Sequence, residues 1–429
     1  MRIPSLLVIA ASLNLVKAAI PTHRYNGGCA AVAQRLYCFG GTSNQKTTSD
    51  HYVFDLSVDF SVEKAIDNWN TVTSTDFQVE PNSLFSIVPL NDSYLVHGGL
   101  GYGSSTQFLR NVTTMFNATT ESWETINSIN ETTMVPSREE TSTLDPFNRI
   151  WTWGGISDNT TSANITEVTY HDEMQVLNMN TLTWSFPDST NTSLQPSFVR
   201  ARIAHTETLG RSGKSIFYIG GLQSDDNDQL IAASMSEILE YNIANNTWFL
   251  RKSPVNSTVP SSRRLHSATQ IPDHDLIFVY GGSATDASKT VTDYSYLLNT
   301  TSFEWTAVDI LNEGAGPRFG HSAVLYKGKS LFIVFGADNL GNLRNDFFIL
   351  DIANWQWVQT FKTDGVYPSV SSQSNSAINT GPKSTTTIFS TTLGNESSSA
   401  NANNQTPIPF NYITTIYLML GVMVVFLFC

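Results

Sequence analysis

Six short apolar segments, each running into a glycine, constrain the fold of this chain more than any other feature of its sequence. They read LYCFGG (36–41), YLVHGG (94–99), IWTWGG (150–155), IFYIGG (216–221), IFVYGG (277–282) and FIVFGA (332–337). A tryptophan follows each segment, at Trp69, Trp123, Trp184, Trp248, Trp305 and Trp357. The glycine segments and the tryptophans recur together in six units of about 55–66 residues. This regular spacing predicts a repeat architecture, in which each unit buries its faces against its neighbours.

Each unit divides into four strand candidates, named a to d in chain order. In the sixth unit strand a is HSAVLY (321–326), strand b is LFIVFG (331–336), strand c is DFFILDI (346–352), and strand d starts at Trp357. These segments are short, rich in aromatic and β-branched residues, and separated by turn residues. Four-stranded antiparallel units in series are typical of β-propeller blades, so the sequence predicts an all-β fold.

Over about residues 22–362 the sequence resembles the kelch-repeat family, which is related to the central propeller of galactose oxidase. The resemblance rests on the glycine doublets, on the strand d tryptophans, and on an aromatic residue before Asp or Asn in strand c, as in Phe54-Asp55, Phe116-Asn117 and Tyr241-Asn242. It implies a six-bladed kelch-type β-propeller over 19–362. Strand b is expected near the axis, with its glycines at positive φ, and the tryptophans further out between blades. The sixth unit departs from the pattern with Gly336-Ala337.

For an enzyme, the same resemblance implies a copper site of two tyrosines and two histidines, with one tyrosine crosslinked to a cysteine. Both cysteines of the predicted propeller, Cys29 and Cys38, lie in the first repeat. Three histidines follow an arginine by three residues at the start of strand a: Arg202 and His205, Arg263 and His266, and Arg318 and His321. This periodic placement favours a structural role, in which the histidines bridge blades through hydrogen bonds. We therefore expect no catalytic residue, cofactor or metal site.

The first residues, MRIPSLLVIAASLNLVKAA, combine a basic start, an apolar stretch and small residues. This pattern predicts a secretory signal peptide over 1–18, with cleavage after Ala18 or, as the alternative, after Ala19. Twelve Asn-x-Ser/Thr sequons predict a heavily glycosylated surface. They lie at Asn91, Asn111, Asn117, Asn130, Asn159, Asn164, Asn191, Asn245, Asn256, Asn299, Asn395 and Asn404.

The two cysteines of the first repeat face each other in one simple register. If residues 33–34 form a two-residue hairpin turn, Cys29 lies opposite Cys38. A secreted, oxidising setting favours a disulfide between them, and two buried free thiols in a different register are the alternative.

Residues 363–412 are rich in Ser, Thr and Asn and poor in large apolar residues, which predicts a disordered stalk. The run ITTIYLMLGVMVVFLFC (413–429) is apolar apart from two threonines. It follows small residues and a polar spacer, which favours a GPI-attachment signal, and a short transmembrane helix is the alternative. Both interpretations anchor the protein to the membrane through this tail, with the propeller outside the cell.

A ligand is expected on the face that carries the long b–c and d–a connections, because long loops on a rigid scaffold concentrate binding. Our first choice within that face is the acidic loop SDDNDQ (224–229), with Asp225, Asp226 and Asp228, since it has no sequon. The loop lacks the glycine and the distal glutamate of an EF-hand, so the sequence does not predict a calcium site there.

With 37 acidic and 24 basic residues the net charge is −13, which argues against a nucleic-acid partner. The sequence therefore favours a cell-surface glycoprotein whose propeller is a non-catalytic binding module for an extracellular protein or a glycan. Two alternatives stay open: an extracellular carbohydrate-active or copper radical oxidase-like enzyme on the same propeller, and a passive coat glycoprotein.

The C-terminal pattern makes a direct prediction about processing. Small residues near Ser399 precede the apolar run by a spacer of about the length that a transamidase requires, so we expect lipid attachment near Ser399. A phosphatidylinositol-specific phospholipase should then release the propeller from intact cells. Recovery of residues 413–429 still joined to the mature surface protein would establish the transmembrane alternative.

Overall fold

Short runs of aromatic and β-branched residues between turn residues give this chain an all-β structure in the computed structural model. The structure describes residues 17–73, 77–130, 134–187, 196–227 and 229–369. Within these ranges it contains no α-helix, one 3₁₀ turn at Ala65–Asn68, and no helix that is long and apolar enough to cross a membrane. Ser399, the tail at 413–429 and most of the predicted signal peptide and stalk lie outside the described residues.

Six antiparallel sheets, numbered 1 to 6 in chain order, each contain a meander of strands a, b, c and d. These strands are Gly28–Val32, Arg35–Phe39, His51–Asp55 and Asn70–Thr71 in sheet 1; Ser86–Pro89, Ser93–His97, Thr113–Asn117 and Ser122–Thr125 in sheet 2; and Arg138–Leu144, Arg149–Ser157, Gln175–Asn178 and Thr183–Ser185 in sheet 3. They are Thr206–Leu209, Ser215–Ile219, Glu237–Asn242 and Thr247–Lys252 in sheet 4; Ser267–Gln270, Leu276–Tyr280, Ser295–Asn299 and Trp305–Ala307 in sheet 5; and Ser322–Tyr326, Ser330–Val334, Phe347–Asp351 and Gln356–Trp357 in sheet 6. The all-β prediction is therefore confirmed.

Shorter strands lie outside the four-stranded repeat. They are Lys17–Ala18, Thr42–Ser43, Lys46–Thr47, Phe60–Ser61, Thr169–Tyr170, Arg202–Ile203, Leu222–Ser224, Leu230–Ala232, Arg318–Phe319, Ala337–Asp338 and Thr360–Phe361. Lys17–Ala18, which the sequence assigns to the signal peptide, pairs with Asn70–Thr71 at the edge of sheet 1.

A ring of six backbone hydrogen bonds joins the starts of the a strands. Each sheet contributes one residue with φ between 51° and 60°, and its N–H donates to the carbonyl of the equivalent residue in the preceding sheet at 2.7–3.1 Å. These residues, which we call the central ring, are Asn26, Leu84, Glu139, Ala204, Leu265 and Gly320. Successive a strands are also neighbours, and strand a of sheet 6 contacts strand a of sheet 1. The innermost strand is thus strand a, so the expectation that strand b lies nearest the axis was wrong.

The glycine doublets let neighbouring sheets approach at the backbone. At five junctions a glycine N–H donates to a carbonyl just before strand a of the next sheet, at 2.8–2.9 Å. These bonds join Gly41 to Asn82, Gly99 to Ser137, Gly221 to Arg263, Gly282 to Arg318 and Gly336 to Arg24. A Cβ on the first glycine of a doublet would meet the same carbonyl, since at Gly281 it would lie 2.2 Å from the oxygen of Arg318. The doublets therefore serve packing, and they have the positive φ that the sequence predicts.

Sheet 6 follows a different alignment from the one expected. Gly336 bonds to Arg24 as the second glycine of a doublet does elsewhere, and Phe335, with φ of 60°, stands in the place of the first glycine. The sequence analysis matched Gly336 to the first glycine of the other doublets. The hydrogen bond to Arg24 shows that it corresponds to the second glycine.

One apolar cluster fills each junction between consecutive sheets, and a sixth cluster joins sheet 6 to sheet 1. Each cluster contains one of the six tryptophans that mark the repeat, and none of these is more than 6% exposed. The prediction that the tryptophans pack between repeats is confirmed.

Both ends of the folded region cross the junction between sheets 6 and 1. Near the start, the Arg24 N–H donates to the carbonyl of Arg344 at 3.0 Å. Near the end, Thr360–Phe361 pairs with Phe60–Ser61, and Lys362 lies 2.9 Å from the Asp59 carboxylate. The compact unit continues to Tyr367, past the predicted boundary at 362. We call residues 360–367 the clasp.

Removal of the Phe361 ring from the clasp is expected to lower the stability of the fold. Phe361 is fully buried and its ring stacks on Phe60 at 4.8 Å between centroids. Phe361→Ala should lower the free energy of unfolding in urea by about 3–5 kcal/mol, because it leaves a cavity in the junction. Phe147→Ala, at a ring that is 68% exposed, is the matched control and should cost less than about 1 kcal/mol. Equal losses in the two variants would show that the clasp does not hold the junction.

Candidate functional site

A cavity of about 150 Å³ is lined by the central ring. The a strands of the six sheets begin at the mouth of this cavity, so the cavity opens on the face that carries the b–c and d–a connections. Besides the ring itself, the lining includes the residue that follows each ring position: Gly27, Phe85, Glu140, His205, His266 and His321. Thr141 completes it. The lining thus contains two carboxylates and three imidazoles, and it contains no lysine or arginine.

The three histidines bridge neighbouring sheets. Nε2 of His205, His266 and His321 lies 2.8, 3.1 and 2.8 Å from a hydroxyl on strand a of the preceding sheet. The hydroxyls belong to Thr141, Thr206 and Ser267. The structural role predicted for these histidines is confirmed.

Burial keeps these imidazoles neutral. It lowers the pKa of His205 and of His321 to about 3, and that of His266 well below its ordinary value. The arginine three residues earlier in each motif adds to the effect, because it repels a second positive charge.

Arginines two residues before the ring positions donate hydrogen bonds to carbonyls at the glycine doublets or at Phe335 in their place. Arg24, Arg263 and Arg318 are buried and pair with Asp50, Asp293 and Asp346 at 2.8–2.9 Å. Each also donates to the carbonyl of the residue directly after strand b, which is Gly40, Gly281 and Phe335 respectively. Asn82 replaces the arginine in sheet 2 and donates to the carbonyl of Gly98 at 2.9 Å.

Glu140 takes the place of the histidine in sheet 3. Its side chain is 1% exposed, and Ser137 donates a hydrogen bond to its Oε2. The other oxygen, Oε1, lies 3.6 Å from Nε2 of His97 and has no hydrogen-bond partner. Burial raises the pKa of the Glu140 carboxyl to about 8 and lowers that of His97 to about 4. Within the described ranges, Glu140 is therefore a buried carboxyl with no lysine or arginine within 4 Å.

A second carboxylate lies next to the lining residue Thr141. Glu207, on strand a of sheet 4, accepts a hydrogen bond from the Thr141 hydroxyl at 3.2 Å, and its Oε1 has no partner. Removal from water raises its pKa well above the ordinary value, and the charge of Glu140 adds to the effect. Sequence analysis missed both glutamates, although PSREETST (136–143) places Glu140 where the last three repeats have histidine.

The aspartates chosen from the sequence do not converge on a site. The Asp225 carboxylate accepts the N–H groups of Asn227 and Gln229 at 2.8 and 2.9 Å, which closes its own loop. Asp226 is paired with Arg200 at 2.6 Å, and Asp228 lies outside the described residues. Among the described residues no group of three or more His, Cys, Asp or Glu side chains is arranged to hold a metal ion.

The cysteines lie where a disulfide can form, and the described sequon asparagines lie where they are accessible to glycosylation. The Ala33-Gln34 turn has φ of 48° and 58°, Cys29 lies opposite Cys38, and the two are joined by a disulfide in the structure. Of the sequon asparagines, Asn191, Asn395 and Asn404 lie outside the described residues, and none of the other nine is buried. Glycosylation at all twelve stays a prediction.

Comparison with known proteins identifies the repeat. The family model of the KLHDC2/KLHL20/DRC7 Kelch-repeats domain matches residues 10–221 and 204–398. Acyl-CoA-binding domain-containing protein 4 of Arabidopsis thaliana is 22% identical over 363 residues, which cover 83% of this chain and 49% of that protein. Kelch domain-containing protein 10 of Rattus norvegicus is 23% identical over 333 residues, 75% of this chain and 73% of that protein. The chain thus spans about half the length of the plant relative.

The fold has a counterpart among solved structures. The structure of YjhT superposes with a TM-score of 0.54 at 15% sequence identity, covering 80% of this chain and 98% of that one. At this identity the likeness concerns the fold alone.

Glu140 predicts an unusual dependence of stability on pH. Its pKa in the folded state, about 8, exceeds the ordinary 4.5 that it has when unfolded, so its contribution is full below pH 4.5 and is lost as the pH rises to 8. Glu140→Gln should therefore have a free energy of unfolding above that of the wild type at pH 8, and the excess should disappear by pH 4. The histidines contribute the opposite slope below about pH 6.5, but they are common to both proteins and cancel in the difference. A difference that does not change with pH would show that Glu140 is not a buried, unpaired carboxyl.

Proposed function

Because the chain belongs to the KLHDC2/KLHL20/DRC7 Kelch-repeats domain family, we propose that its six sheets close into a six-bladed propeller that binds another protein without catalysis. The binding face is the one on which the cavity of the central ring opens. The single observation that carries this proposal is the contrast between the two faces of the fold.

The contrast follows from the strand bounds. On the face opposite the cavity, strands a and b are joined by short turns, such as residues 33–34 in sheet 1 and 327–329 in sheet 6. On the cavity face, strands b and c are joined by long connections, such as 158–174 in sheet 3. Long loops held on rigid strands are the usual place of recognition. This face therefore offers both a concave centre and a variable rim.

Closure into six blades is supported by contacts that return to the start. The Asn26 N–H donates to Gly320, and the Ser322 hydroxyl donates to the carbonyl of Gly27 at 3.1 Å, so that sheet 6 bonds to sheet 1. The clasp makes a further connection on the outer side. A rigid closed disc would present its loops with little loss of entropy on binding.

The proposal includes display outside the cell on a membrane anchor. The sequence patterns of a signal peptide and an anchoring tail support it, together with nine described sequon asparagines, none of them buried, and a disulfide between Cys29 and Cys38. Disulfides persist in oxidising compartments, so the pair fits a secreted protein. The lipid-attachment experiment above tests the anchor.

Two exposed apolar residues on opposite faces allow a matched test of the binding face. Leu340, 80% exposed, lies in the b–c connection of sheet 6, and Phe147 lies in the a–b turn of sheet 3. Each is replaced by the photo-crosslinker p-benzoylphenylalanine in the full chain, and crosslinked proteins are identified by mass spectrometry. We expect a specific protein adduct from position 340 and none from position 147. The same protein captured at both positions, or at position 147 alone, would refute the choice of face.

A further inference from the structure

A small three-stranded sheet continues sheet 4 onto the cavity face. Its strands, in spatial order, are Arg202–Ile203, Leu222–Ser224 and Leu230–Ala232, and we call them the extension sheet. Arg202–Ile203 leads into strand a, and the other two strands belong to the b–c connection of sheet 4. Leu230–Ala232 pairs on one side only, so its other side forms the edge of the extension sheet.

The hydrogen bonds show which backbone groups lie on this edge. In an antiparallel pair, the N–H and C=O groups of successive residues point alternately towards the partner strand and away from it. The Gln229 carbonyl and the Ala233 N–H both bond to the other arm of this hairpin, at 2.8 and 3.0 Å. Ile231 lies midway between them, so its groups point the same way. Leu230 and Ala232 therefore direct their N–H and C=O groups outwards.

These outward groups are left over by the fold. Within the described ranges, nothing bonds to the N–H or C=O of Leu230 or Ala232 on the outer side. Strand d of sheet 4 does not cover them, because Pro254, two residues after this strand, has no N–H with which to continue a ladder. The chain then turns to sheet 5, where the Ser257 hydroxyl accepts a backbone N–H of strand d at 2.7 Å. Two N–H and two C=O groups thus form an open edge.

The edge is accessible, and its two faces differ. Ile231 is 44% exposed, and Leu230 and Ala232 are only partly buried. Leu230 packs against an apolar cluster that contains Ile203 and, from sheet 3, Ile156. Because side chains alternate along a strand, Ile231 lies on the opposite face. A strand added here would extend the apolar face on one side and face solvent on the other.

This edge is longer than its counterparts in the other sheets. In the part of the chain that the structure describes, the equivalent outer strands are Lys46–Thr47 in sheet 1 and Thr169–Tyr170 in sheet 3. Sheets 5 and 6 have only single bridges there, at Thr290 and Leu343. A strand of two residues directs only one of them outwards, whereas Leu230–Ala232 directs two. The b–c connection of sheet 4 also has no sequon, unlike those of sheets 2 and 3.

We propose that the edge of the extension sheet binds an extended segment of the partner protein, which adds to it as a fourth strand. An extended peptide presents N–H and C=O groups at the spacing that Leu230 and Ala232 require, and unpaired strand edges are templates for such pairing. The partner residues opposite these two lie on the apolar face, so we expect apolar side chains at alternate positions. The proposal rests on the proposed function, because it names the part of the cavity face that is bound and the conformation of the partner there.

The first test measures amide hydrogen exchange in the free, full-length protein, by mass spectrometry with fragmentation that resolves single residues. We expect the amides of Leu230 and Ala232 to exchange fast, because they donate only to water. The amide of Ile231 should exchange more slowly, because it donates to the neighbouring strand. Protection of Leu230 and Ala232 in the free protein would mean that another part of this chain covers the edge, and would overturn the proposal.

The second test removes one outward N–H. Ala232→Pro does so without removing a bond of the extension sheet, and Ala232→Ser, which keeps the N–H, is the matched control. Ile231 is replaced by p-benzoylphenylalanine in the full chain in each background, and adducts are compared with those from position 340. We expect the same protein from both positions, with the yield at 231 about tenfold lower in Ala232→Pro and unchanged in Ala232→Ser. Equal yields in all three backgrounds would refute the edge.

A peptide test does not depend on how a variant folds. The partner segment that is crosslinked at position 231 is synthesised, and its binding to the unmodified full-length protein is measured by fluorescence anisotropy. Backbone N-methylation is placed on one or the other set of alternate residues. We expect one set to weaken binding about tenfold or more and the set offset by one residue to leave it unchanged, because only alternate N–H groups meet the edge. Equal effects of the two sets would exclude strand addition.

The two crosslinking positions distinguish this proposal from the proposed function. A specific protein adduct from position 340 with none from position 231 would leave a partner on the cavity face but refute the edge. No specific adduct from either position would refute the proposed function and the edge with it. An adduct from position 231 alone, lost in Ala232→Pro and kept in Ala232→Ser, would support the edge and place the partner away from sheet 6.

Discussion

Close backbone contact at the start of the a strands is the constraint on which the rest of this structure depends. The central ring and the carbonyls that precede it use N–H and C=O groups that an innermost strand would otherwise leave unpaired. A buried peptide group without a partner costs free energy comparable to a lost hydrogen bond, so these bonds make the centre of the fold possible. The left-handed backbone at the ring positions, including non-glycine residues such as Leu84 and Leu265, is the local cost of this arrangement.

The same constraint explains why polar residues are buried around the axis. Sheets that approach this closely leave no room for large apolar side chains at the doublets, and the carbonyls exposed there need donors. The buried arginines supply them, and their aspartates balance the charge at three of the junctions. Arg202 is the exception, since its guanidinium has no carboxylate within 4 Å in the described part of the chain and burial lowers its pKa to about 10. The apolar clusters further out, each with its tryptophan, then supply most of the hydrophobic stabilisation.

Pseudo-symmetry makes departures from the repeat informative. The other five repeats carry glycine, phenylalanine or a neutral histidine at the position of Glu140, and the ring forms in all of them because it uses only backbone atoms. A carboxyl there is unfavourable for stability when it ionises, because burial favours its neutral form. Groups that reduce stability and line a cavity are the ones to consider for binding. Phe335 is a departure of a different kind, since it keeps the backbone conformation of the missing glycine and so preserves the junction.

The amino-acid sequence by itself determined the all-β class, the number of repeats, the strand pattern and the burial of the tryptophans, because these depend on local alternation and on spacing along the chain. It also predicted the opposition of Cys29 and Cys38, which follows from a two-residue turn. It could not determine which strand is innermost, the one-residue shift in sheet 6, or the environment of Glu140 and Glu207. Those features depend on atoms from neighbouring sheets, as when a carbonyl of Arg318 excludes a side chain at Gly281. The acidic loop at 224–229 has the composition of a site, but only the tertiary structure shows that Asp225 and Asp226 satisfy their own loop and a neighbouring arginine, whereas the unpaired carboxyl lies at the centre of the fold.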